Sequence, residues 1–523
     1  MKLSAPFIAA ILTSAVIAAA EPKPDILVIL ADDMGFSDPA CFGGELATPS
    51  LDRLAAQGTR LTHFYNGGMC VVSRASLLTG QWWPRGLENF KKSKLLPERL
   101  KGAGYRNALI GKWHLAGNPM DRGFDHFFGF LGGFADHYKG SADYRLDRQP
   151  FKDFGEDYYS SDAFADRAIN FIRSSKRANP EQPLFIYLSF QAPHNPLQAP
   201  EADIRRHRGK YLKGWQVTRE ARFKRQQEMG IISSERRLPS YPENLPAWES
   251  LTPAQRDLED LRMATYAAMV ERMDHGIGRV IKTLESHGRA DNTLIVFLSD
   301  NGADSFSVVD QAMLQRKLLP GDPGSNFQPG TGWAYASVTP WRLYKISQHA
   351  GGITTGAIIR WPGKATAKSQ ILANSVHIAD LAPTLLDLIN VESDGFDGES
   401  FLPLRTDSNW NREGPMFFQY MDNRAIRTGD WTLVEADGSG WELYDARKDP
   451  METENLVAQK PELTQQLAAQ WNDWWRSQNQ GKTYKPTTTK DSPHYKPQGD
   501  RGTGTLYKPS AMPAGLSERL PIE

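Results

Sequence analysis

The stretch Asp25-Ile-Leu-Val-Ile-Leu-Ala-Asp-Asp33 is the strongest local indication of the fold class. Residues 25–31 read as a strand whose apolar run is continuous, and such a run is typical of a strand buried on both faces of a parallel sheet. Three further short apolar runs lie at residues 106–110, 183–189 and 293–299. The four runs together predict a set of buried parallel strands.

Helical patterns lie between these strands. Residues 161–174 and a longer segment at 261–286 carry apolar side chains at three- and four-residue spacing, as amphipathic helices do. Strands that alternate with helices form a layered fold with a mostly parallel sheet. The predicted fold class is therefore α/β, with the sheet between helices.

Polar side chains follow each predicted strand at the point where it ends. In open α/β sheets, ligands bind at the carboxyl ends of the strands, so these side chains are expected to converge on one site. In chain order they are Asp32, Asp33, Lys112, His114, His194, Asp300 and Asn301.

Four of these side chains offer only oxygen ligands. Asp32, Asp33, Asp300 and Asn301 suit a hard cation, calcium or magnesium, better than zinc, which prefers nitrogen and sulfur. Taken singly, the first pair also fits a helix N-cap with a solvated neighbour, and the second pair fits a turn. Both pairs end apolar strands, which favours the metal site.

The composition excludes a global electrostatic function. The chain has 523 residues with 61 basic and 61 acidic side chains, so nothing in its net charge favours nucleic acid or an anionic membrane. Any attraction for an anion must be local. The sequence carries no signal for the oligomeric state.

The first twenty residues predict export. Lys2 precedes an apolar run over residues 7–17, and three alanines at 18–20 form a small-residue cleavage site, as in a signal peptide. This run, like every later one, is shorter than the roughly 20 residues that span a bilayer. We expect a periplasmic or secreted protein that does not span a membrane.

The pattern of the sequence changes beyond residue 405. Short strand-like pieces at 416–420, 424–427, 431–435 and 441–444 precede an amphipathic helix at 461–477, which predicts a small antiparallel sheet with a helix. From residue 480, Lys, Pro, Thr and Gly dominate, which is typical of an extended tail. The predicted organisation is a signal peptide (1–20), a catalytic domain (21–405), a C-terminal subdomain (406–479) and a tail (480–523).

Cys41 and Cys70 are the chain's two cysteines. An exported chain of this size with two cysteines is not a disulfide scaffold, and one disulfide and two buried thiols both remain open.

The surroundings of Cys70 carry a resemblance. The stretch Gly68-Met-Cys70-Val-Val-Ser-Arg74-Ala-Ser-Leu-Leu-Thr-Gly80 resembles the type I sulfatase signature, in which a Cys or Ser is followed two residues later by Pro or Ala and four later by Arg. Similar pieces run in the family's order at residues 29–35, 111–115, 192–196, 298–302, 340–345, 377–385 and 423–431.

The resemblance implies an alkaline-phosphatase-like sulfatase fold and an arylsulfatase-like enzyme. It implies that Asp32, Asp33, Asp300 and Asn301, with the modified residue 70, hold a calcium ion. The residue matching Cys70 is oxidised in this family to formylglycine, the nucleophile, by a formylglycine-generating or an anaerobic sulfatase-maturating enzyme. The remaining matching residues around the sulfate are Arg74, Lys112, His114, His194 and Lys345.

The same resemblance implies roles for the polar residues. Arg74 steadies the formylglycine, His194 and Lys345 donate a proton to the leaving oxygen, and His114 is the base that assists release of sulfate. The expected reaction is hydrolysis of a sulfate ester, of a phenol or of a carbohydrate.

Two positions depart from the family's pattern. Residue 72 is Val where the maturation signature has Pro or Ala; both Val and Pro suit an extended backbone, so we expect conversion of Cys70. Ala350 precedes Gly351-Gly352, where related sequences often have an acidic residue.

Two other functions remain open from the sequence. A phosphoester or phosphonate hydrolase of the same superfamily recognises a similar tetrahedral oxyanion. A noncatalytic binder of sulfated glycans would result if Cys70 stayed a thiol. Segments 82–85, 134–144 and 210–225 are rich in aromatic or basic residues and are read either as the mouth of a substrate pocket or as surface loops.

Overall fold

The computed structural model describes residues 22–242, 245–306, 310–363, 369–392, 394–486 and 510–522. The predicted signal peptide lies outside these residues and stays a prediction. Within them, the strands are β1 (Asp25–Asp32), β2 (Thr59–Leu61), β3 (Phe64–Tyr65), β4 (Arg106–Lys112), β5 (His126–Phe130), β6 (Tyr144–Leu146), β7 (Gln149–Pro150), β8 (Leu184–Pro193), β9 (Thr293–Ser299), β10 (Ala357–Arg360), β11 (Gln370–Leu372), β12 (Val376–His377), β13 (Met416–Tyr420), β14 (Asn423–Thr428), β15 (Trp431–Glu435) and β16 (Glu442–Asp445).

The helices connect and cover these strands. They are α1 (Pro49–Ala56), α2 (Cys70–Thr79), α3 (Arg85–Glu88), α4 (Leu96–Gly102), α5 (Ser160–Ala178), α6 (Glu201–Arg205), α7 (Gly214–Glu228), α8 (Pro253–Ser286), α9 (Asp310–Gln315), α10 (Thr331–Ser337), α11 (Ala350–Ile353), α12 (Leu381–Asp387) and α13 (Pro461–Gln478). No helix of the described residues is long and apolar enough to cross a membrane.

The large sheet has the strand order β11-β2-β10-β9-β1-β8-β4-β5-β6-β7. Its centre, from β9 to β5, is parallel throughout, and antiparallel pairings appear on either side, between β9 and β10 and between β5 and β6. The four strands predicted from apolar runs are β1, β4, β8 and β9, and they are neighbours in this centre. The predicted α/β class is confirmed.

Both faces of the central strands are buried, as their continuous apolar runs predict. On β1, Leu27 and Ile29 point into a core shared with α5 and α8, whereas Val28 and Leu30 point into a second core shared with α2, α4 and α12. Because successive side chains of a strand alternate between its faces, a strand between two helical layers must be apolar at every position.

Close approach of β4 to β8 requires a glycine beside the carboxyl edge. A Cβ on Gly111 would lie 1.8 Å from the carbonyl oxygen of Ser189, and Gly111 has φ +112°. The strand therefore reaches Lys112 without widening the sheet at the point where the polar side chains begin.

The predicted C-terminal subdomain is a four-stranded antiparallel sheet, β13-β14-β15-β16, packed against α13. Trp471 of α13 is fully buried against this sheet, and its indole N–H donates to the carbonyl oxygen of Phe418 at 3.2 Å. The same apolar cluster includes Tyr65 and Ile353 of the catalytic part, so the two parts share a core.

The end of the chain departs from the expected extended tail. Residues 510–522 pack against the catalytic part: the Met512 N–H donates to the carbonyl oxygen of Ala254 at 3.0 Å, and Arg208 Nε donates to that of Leu520 at 2.9 Å. Met512 and Leu520 are buried apolar anchors within a polar segment, which the overall composition concealed.

Candidate active site

The carboxyl edge of the large sheet gathers all the predicted site residues. Asp32 and Lys112 are the last residues of β1 and β4, and the residues predicted after β1, β4, β8 and β9 follow within two positions of the strand ends. Cys70 is the first residue of α2, and Lys345 lies on the loop between α10 and α11. The convergence expected from strand ends is confirmed.

One half of the site is a buried network around Arg74. Its guanidinium donates from Nε and Nη2 to Asp300 Oδ2 at 3.0 and 2.8 Å, and from Nη1 to the carbonyl oxygen of Lys112 at 2.9 Å. Lys112 Nζ in turn donates to Asp32 Oδ2 at 2.6 Å. All four side chains are fully buried, so the pairing is needed to offset the loss of hydration.

The other half of the site centres on Asp33. Lys345 Nζ donates to Asp33 Oδ2 at 2.6 Å, and the amide nitrogen of Asn301 donates to Asp33 Oδ1 at 2.6 Å. His194 Nε2 lies 3.5 Å from Asp33 Oδ2. Burial alone would raise the pKa of Asp33, but the positive charge of Lys345 holds it below its usual range.

Two buried side-chain oxygens of the predicted metal ligands have no hydrogen-bond partner among the described residues. They are Asp32 Oδ1 and Asn301 Oδ1. Side chains of ligand type gather there in two groups that share Asp32, one with Asp33 and His194 and one with Cys70 and Asp300, each with ligand atoms within 4.8 Å of one another. Unpaired buried oxygens are costly, and an oxygen-rich donor set suits a hard cation. The residues present therefore fit one calcium or magnesium ion.

Cys70 is a free, buried thiol at the start of α2, and burial raises its pKa. Cys41 is also free and buried, so of the two readings of the cysteines the structure has two buried thiols. Val72 is buried two residues further on, where a Cβ on Gly67 would meet Val72 Cγ1 at 2.3 Å. The valine that departs from the family's signature thus packs directly against the glycine turn before Cys70.

The surroundings of the two site histidines disfavour their charged forms. Burial, with the positive charges of Lys112 and Arg74, lowers the pKa of His114 far below its usual value. Burial likewise lowers the pKa of His194, against the opposing charge of Asp33.

Sequence reasoning missed Asp304, which faces Lys345. It is buried, its Oδ2 has no hydrogen-bond partner among the described residues, and burial raises its pKa to about 7. Its position four residues after Asp300, on the same loop, was the available signal.

The segment 210–225 is neither a pocket mouth nor a surface loop. Most of it is helix α7, whose Arg219 and Arg222 are fully buried. Arg219 Nη2 donates to the carbonyl oxygen of Trp341 at 3.0 Å, and Arg222 pairs with Asp38 and Glu45. Basic residues that the sequence suggested for substrate contact instead hold the fold together.

The other two aromatic segments lie closer to the site. Trp82 is buried against His377, with ring centroids 4.5 Å apart, whereas Trp83 packs edge-on against Tyr420 of the C-terminal sheet. Phe134 is 54% exposed and stacks on His194 at 6.3 Å between centroids. Phe134 therefore offers an apolar ring face beside a site residue.

The site buries two lysines and an arginine beside an oxygen-rich metal position, at the carboxyl edge of an α/β sheet. Such a site suits a protein that binds a tetrahedral oxyanion. Comparisons with known proteins make this class specific. The family model described as Sulfatase matches residues 24–391, and that of the N-sulphoglucosamine sulphohydrolase C-terminal region matches residues 344–478. The chain belongs to the sulfatase family, and it is a sulfuric ester hydrolase.

Individual relatives agree with this assignment. The chain is 35% identical to an arylsulfatase of Klebsiella aerogenes, over 75% of this chain and 92% of that one, and 32% identical to an uncharacterized sulfatase of Schizosaccharomyces pombe, over 86% and 93%. Its fold is similar to the solved structure of BT4656 in complex with its substrate D-glucosamine-2-N,6-O-disulfate, with a TM-score of 0.61, 22% identity, and coverage of 88% of this chain and 98% of that one.

Proposed function

We propose that the chain hydrolyses sulfate esters through a formylglycine made from Cys70 and a single calcium ion. The observation that carries the proposal is the pair of unpartnered oxygens, Asp32 Oδ1 and Asn301 Oδ1, beside Cys70 in a buried, cation-lined site. Both groups of ligand-type side chains found among the described residues share Asp32, which favours one metal over the two that would suit a phosphoester hydrolase.

Asp32, Asp33, Asp300, Asn301 and residue 70 would hold the ion. When bound, calcium lowers the repulsion between the nucleophile and the anionic sulfate, and formylglycine supplies a hydrated aldehyde as that nucleophile. The chain contributes fixed positive charge. Lys112 and Lys345 are buried beside the carboxylates, so they need no reorganisation to stabilise charge that develops on the sulfuryl oxygens.

In this proposal Arg74 orients Asp300 and the end of β4 and takes no direct part in the reaction. Two of its nitrogens bind one oxygen of Asp300, and the third binds Lys112 through its backbone, so one side chain fixes a metal ligand and a cationic strand end together. Its burial at the first turns of α2 also ties the helix that begins at Cys70 to the sheet.

Lys345, His194 and His114 transfer protons in this proposal. Lys345 and His194 both contact Asp33, which places them together for donation to the leaving oxygen. The Nδ1 of His114 has no hydrogen-bond partner among the described residues. This leaves it able to accept a proton during release of sulfate.

The substrate in this proposal is a ring-bearing sulfate ester, of a phenol or a sugar. Phe134 supports this because its exposed face lies beside His194. The arylsulfatase name of one relative and the sulfated glucosamine bound by BT4656 support the same range. Export through the predicted signal peptide would bring the enzyme to such substrates, and a formylglycine-generating or anaerobic maturating enzyme would act before export.

The decisive experiment compares protein made with and without a formylglycine-generating enzyme. Peptide mass spectrometry should find an aldehyde at position 70 only in the first sample, and only that sample should hydrolyse an aryl sulfate. Chelation should abolish turnover and calcium should restore it. An unmodified thiol in fully active protein would overturn the formylglycine nucleophile. An inactive protein that keeps the thiol after exposure to the maturating enzyme would favour the noncatalytic alternative, and faster hydrolysis of the matching phosphate ester would favour the phosphoester alternative.

A further inference from the structure

The loop that carries Lys345 has a strained backbone. Leu343 and Ile346, on either side of Lys345, have φ of 60° and 79°. This left-handed conformation is rare for bulky residues and is an outlier for a β-branched one. Such residues persist only where surrounding contacts over-determine them, so the contacts of this loop deserve a functional explanation.

The catalytic part fixes the middle of the loop. The Lys345 N–H donates to the carbonyl oxygen of Ala303 at 3.2 Å, and the Ile346 N–H donates to that of Gly68 at 2.8 Å. The loop is thereby joined to the turn that precedes Cys70. These two bonds hold the backbone at Lys345 but leave the flanks of the loop to other partners.

The flanks are held by one carboxylate of the C-terminal sheet. Arg342 Nη1 donates to Glu442 Oε2 at 2.8 Å, and His349 Nε2 lies 3.1 Å from the same oxygen. Arg342 and His349 lie on either side of Lys345 along the chain. Glu442, on β16, thus gathers both ends of the strained segment at one atom.

A second carboxylate, that of Glu452, also holds this loop. Glu452 is buried, itself has φ +59°, and accepts the Ala350 N–H on Oε2 at 2.9 Å and Arg427 Nη2 on Oε1 at 2.6 Å. Ala350 is the position at which related sequences often carry an acidic residue. Here the carboxylate beside Ala350 comes from the segment between β16 and α13.

We propose that Glu442 is a positioning residue, which holds the loop between Arg342 and His349 in the strained conformation that directs Lys345 at Asp33 and the leaving oxygen. The proposal rests on the proposed function, in which Lys345 assists departure of the alcohol. It gives the C-terminal sheet a part in the reaction through an ion pair and not through contact with substrate.

The experiment uses the matured full-length enzyme and a series of aryl sulfates whose phenols differ in pKa. Lys345→Ala should lose most activity on the poorest leaving groups, because those need the most protonation. Glu442→Gln should shift the leaving-group dependence in the same direction, with kcat on the poorest substrate lower by about 10- to 100-fold, the range in which small misplacements of catalytic groups fall.

A double variant separates positioning from a merely structural effect. If Glu442 acts only through Lys345, the Lys345→Ala/Glu442→Gln enzyme should be no slower than Lys345→Ala, because the two changes remove one function. Glu435→Gln is the matched control: Glu435 lies on β15 of the same sheet and pairs with Arg424, away from the Lys345 loop. It should leave the leaving-group dependence unchanged.

The outcomes distinguish the two levels of the proposal. Fully additive losses, or a Glu442→Gln enzyme that slows all substrates equally, would overturn the positioning role while leaving the proposed function intact. A Lys345→Ala enzyme with unchanged leaving-group dependence would overturn the proposed role of Lys345, and the inference with it. Should Glu442→Gln fold poorly, Arg342→Lys tests the same contact by the same criteria.

Discussion

Two buried clusters of charged side chains, one around Arg222 and one around Arg74, have similar compositions. They differ in whether their carboxylate and amide oxygens all have hydrogen-bond partners. Beside the catalytic edge, Arg222 of α7 donates to Asp38 and to both oxygens of Glu45, and the second oxygen of Asp38 accepts from Tyr266. At the catalytic edge, Asp32 Oδ1, Asn301 Oδ1 and Asp304 Oδ2 remain without a hydrogen-bond partner among the described residues. The Arg222 cluster is satisfied by its own pairings, whereas the unpaired oxygen of Asp32 lies among side chains of ligand type, which favours a bound cation there.

The largest expected effect is in the catalytic cluster. Asp300→Asn removes the charge that faces Arg74 and one proposed calcium ligand, so turnover of an aryl sulfate should fall by about 10³-fold or more. Calcium binding, measured by calorimetry, should be lost as well. Glu45→Gln, an equivalent change in the Arg222 cluster, should leave kcat close to that of the parent. Retained calcium binding in Asp300→Asn would contradict the assignment.

The Arg222 cluster should respond in stability instead. Arg222→Met leaves Asp38 buried and without its ionic partner, which should lower the free energy of unfolding by about 3–5 kcal/mol. Thermal and urea unfolding measure this, and activity per folded molecule should stay near the parent value. Arg225→Met, which removes a more exposed partner of Glu45, is the control and should cost about 1 kcal/mol or less. An equal cost for both variants would remove the distinction.

Calcium should stabilise only the cluster with unpaired oxygens. Adding calcium at about 100 times its Kd to chelated protein should raise the stability by about 2.7 kcal/mol through binding to the folded state alone. Asp32→Asn should show a much smaller response, and Arg222→Met should keep the full increment on its lower baseline. A calcium response that survives in Asp32→Asn would place the ion elsewhere.

The smallest expected effect is a pH dependence of the stability that Glu442 contributes. Burial would raise the pKa of Glu442, but its hydrogen bond with His349 and the charge of Arg342 lower it. Its stabilising contribution is therefore present above the unfolded value of about 4.3 and is lost as pH falls below it. The groups that face Glu442 are Arg342, His349, Tyr444 and Glu452.

Glu442→Gln should accordingly be less stable than the parent by about 1 kcal/mol at pH 7. The difference should shrink as the pH is lowered from about 5 to about 3, because Glu442 of the unfolded parent takes up a proton over that range while the folded carboxylate stays charged. Thermal unfolding across this range checks the prediction. A difference that stays constant with pH would show that the charge of Glu442 contributes nothing.

The α/β class, the central strands and the polar residues at their ends were all predictable from the amino-acid sequence. Continuous apolar runs are forced on strands that lie between two helical layers, and the carboxyl ends of parallel strands share one edge, so local patterns were enough. Cys70, Arg74 and Lys345 lie outside those strand ends, and only the resemblance to sulfatases pointed to them. The predicted formylglycine, calcium ion and export stay predictions.

Which charged side chains are buried, and with which partners, follows from the packing of distant parts of the chain. A helix rich in arginine reads as a solvated surface, and nothing local in α7 reveals that Arg222 meets Asp38 and Glu45 from far along the chain. In the same way, Glu442 is close to Arg342 and His349 only because the C-terminal sheet packs on the loop between them. Pairings between residues a hundred positions apart depend on packing, and packing leaves no periodic trace in the sequence.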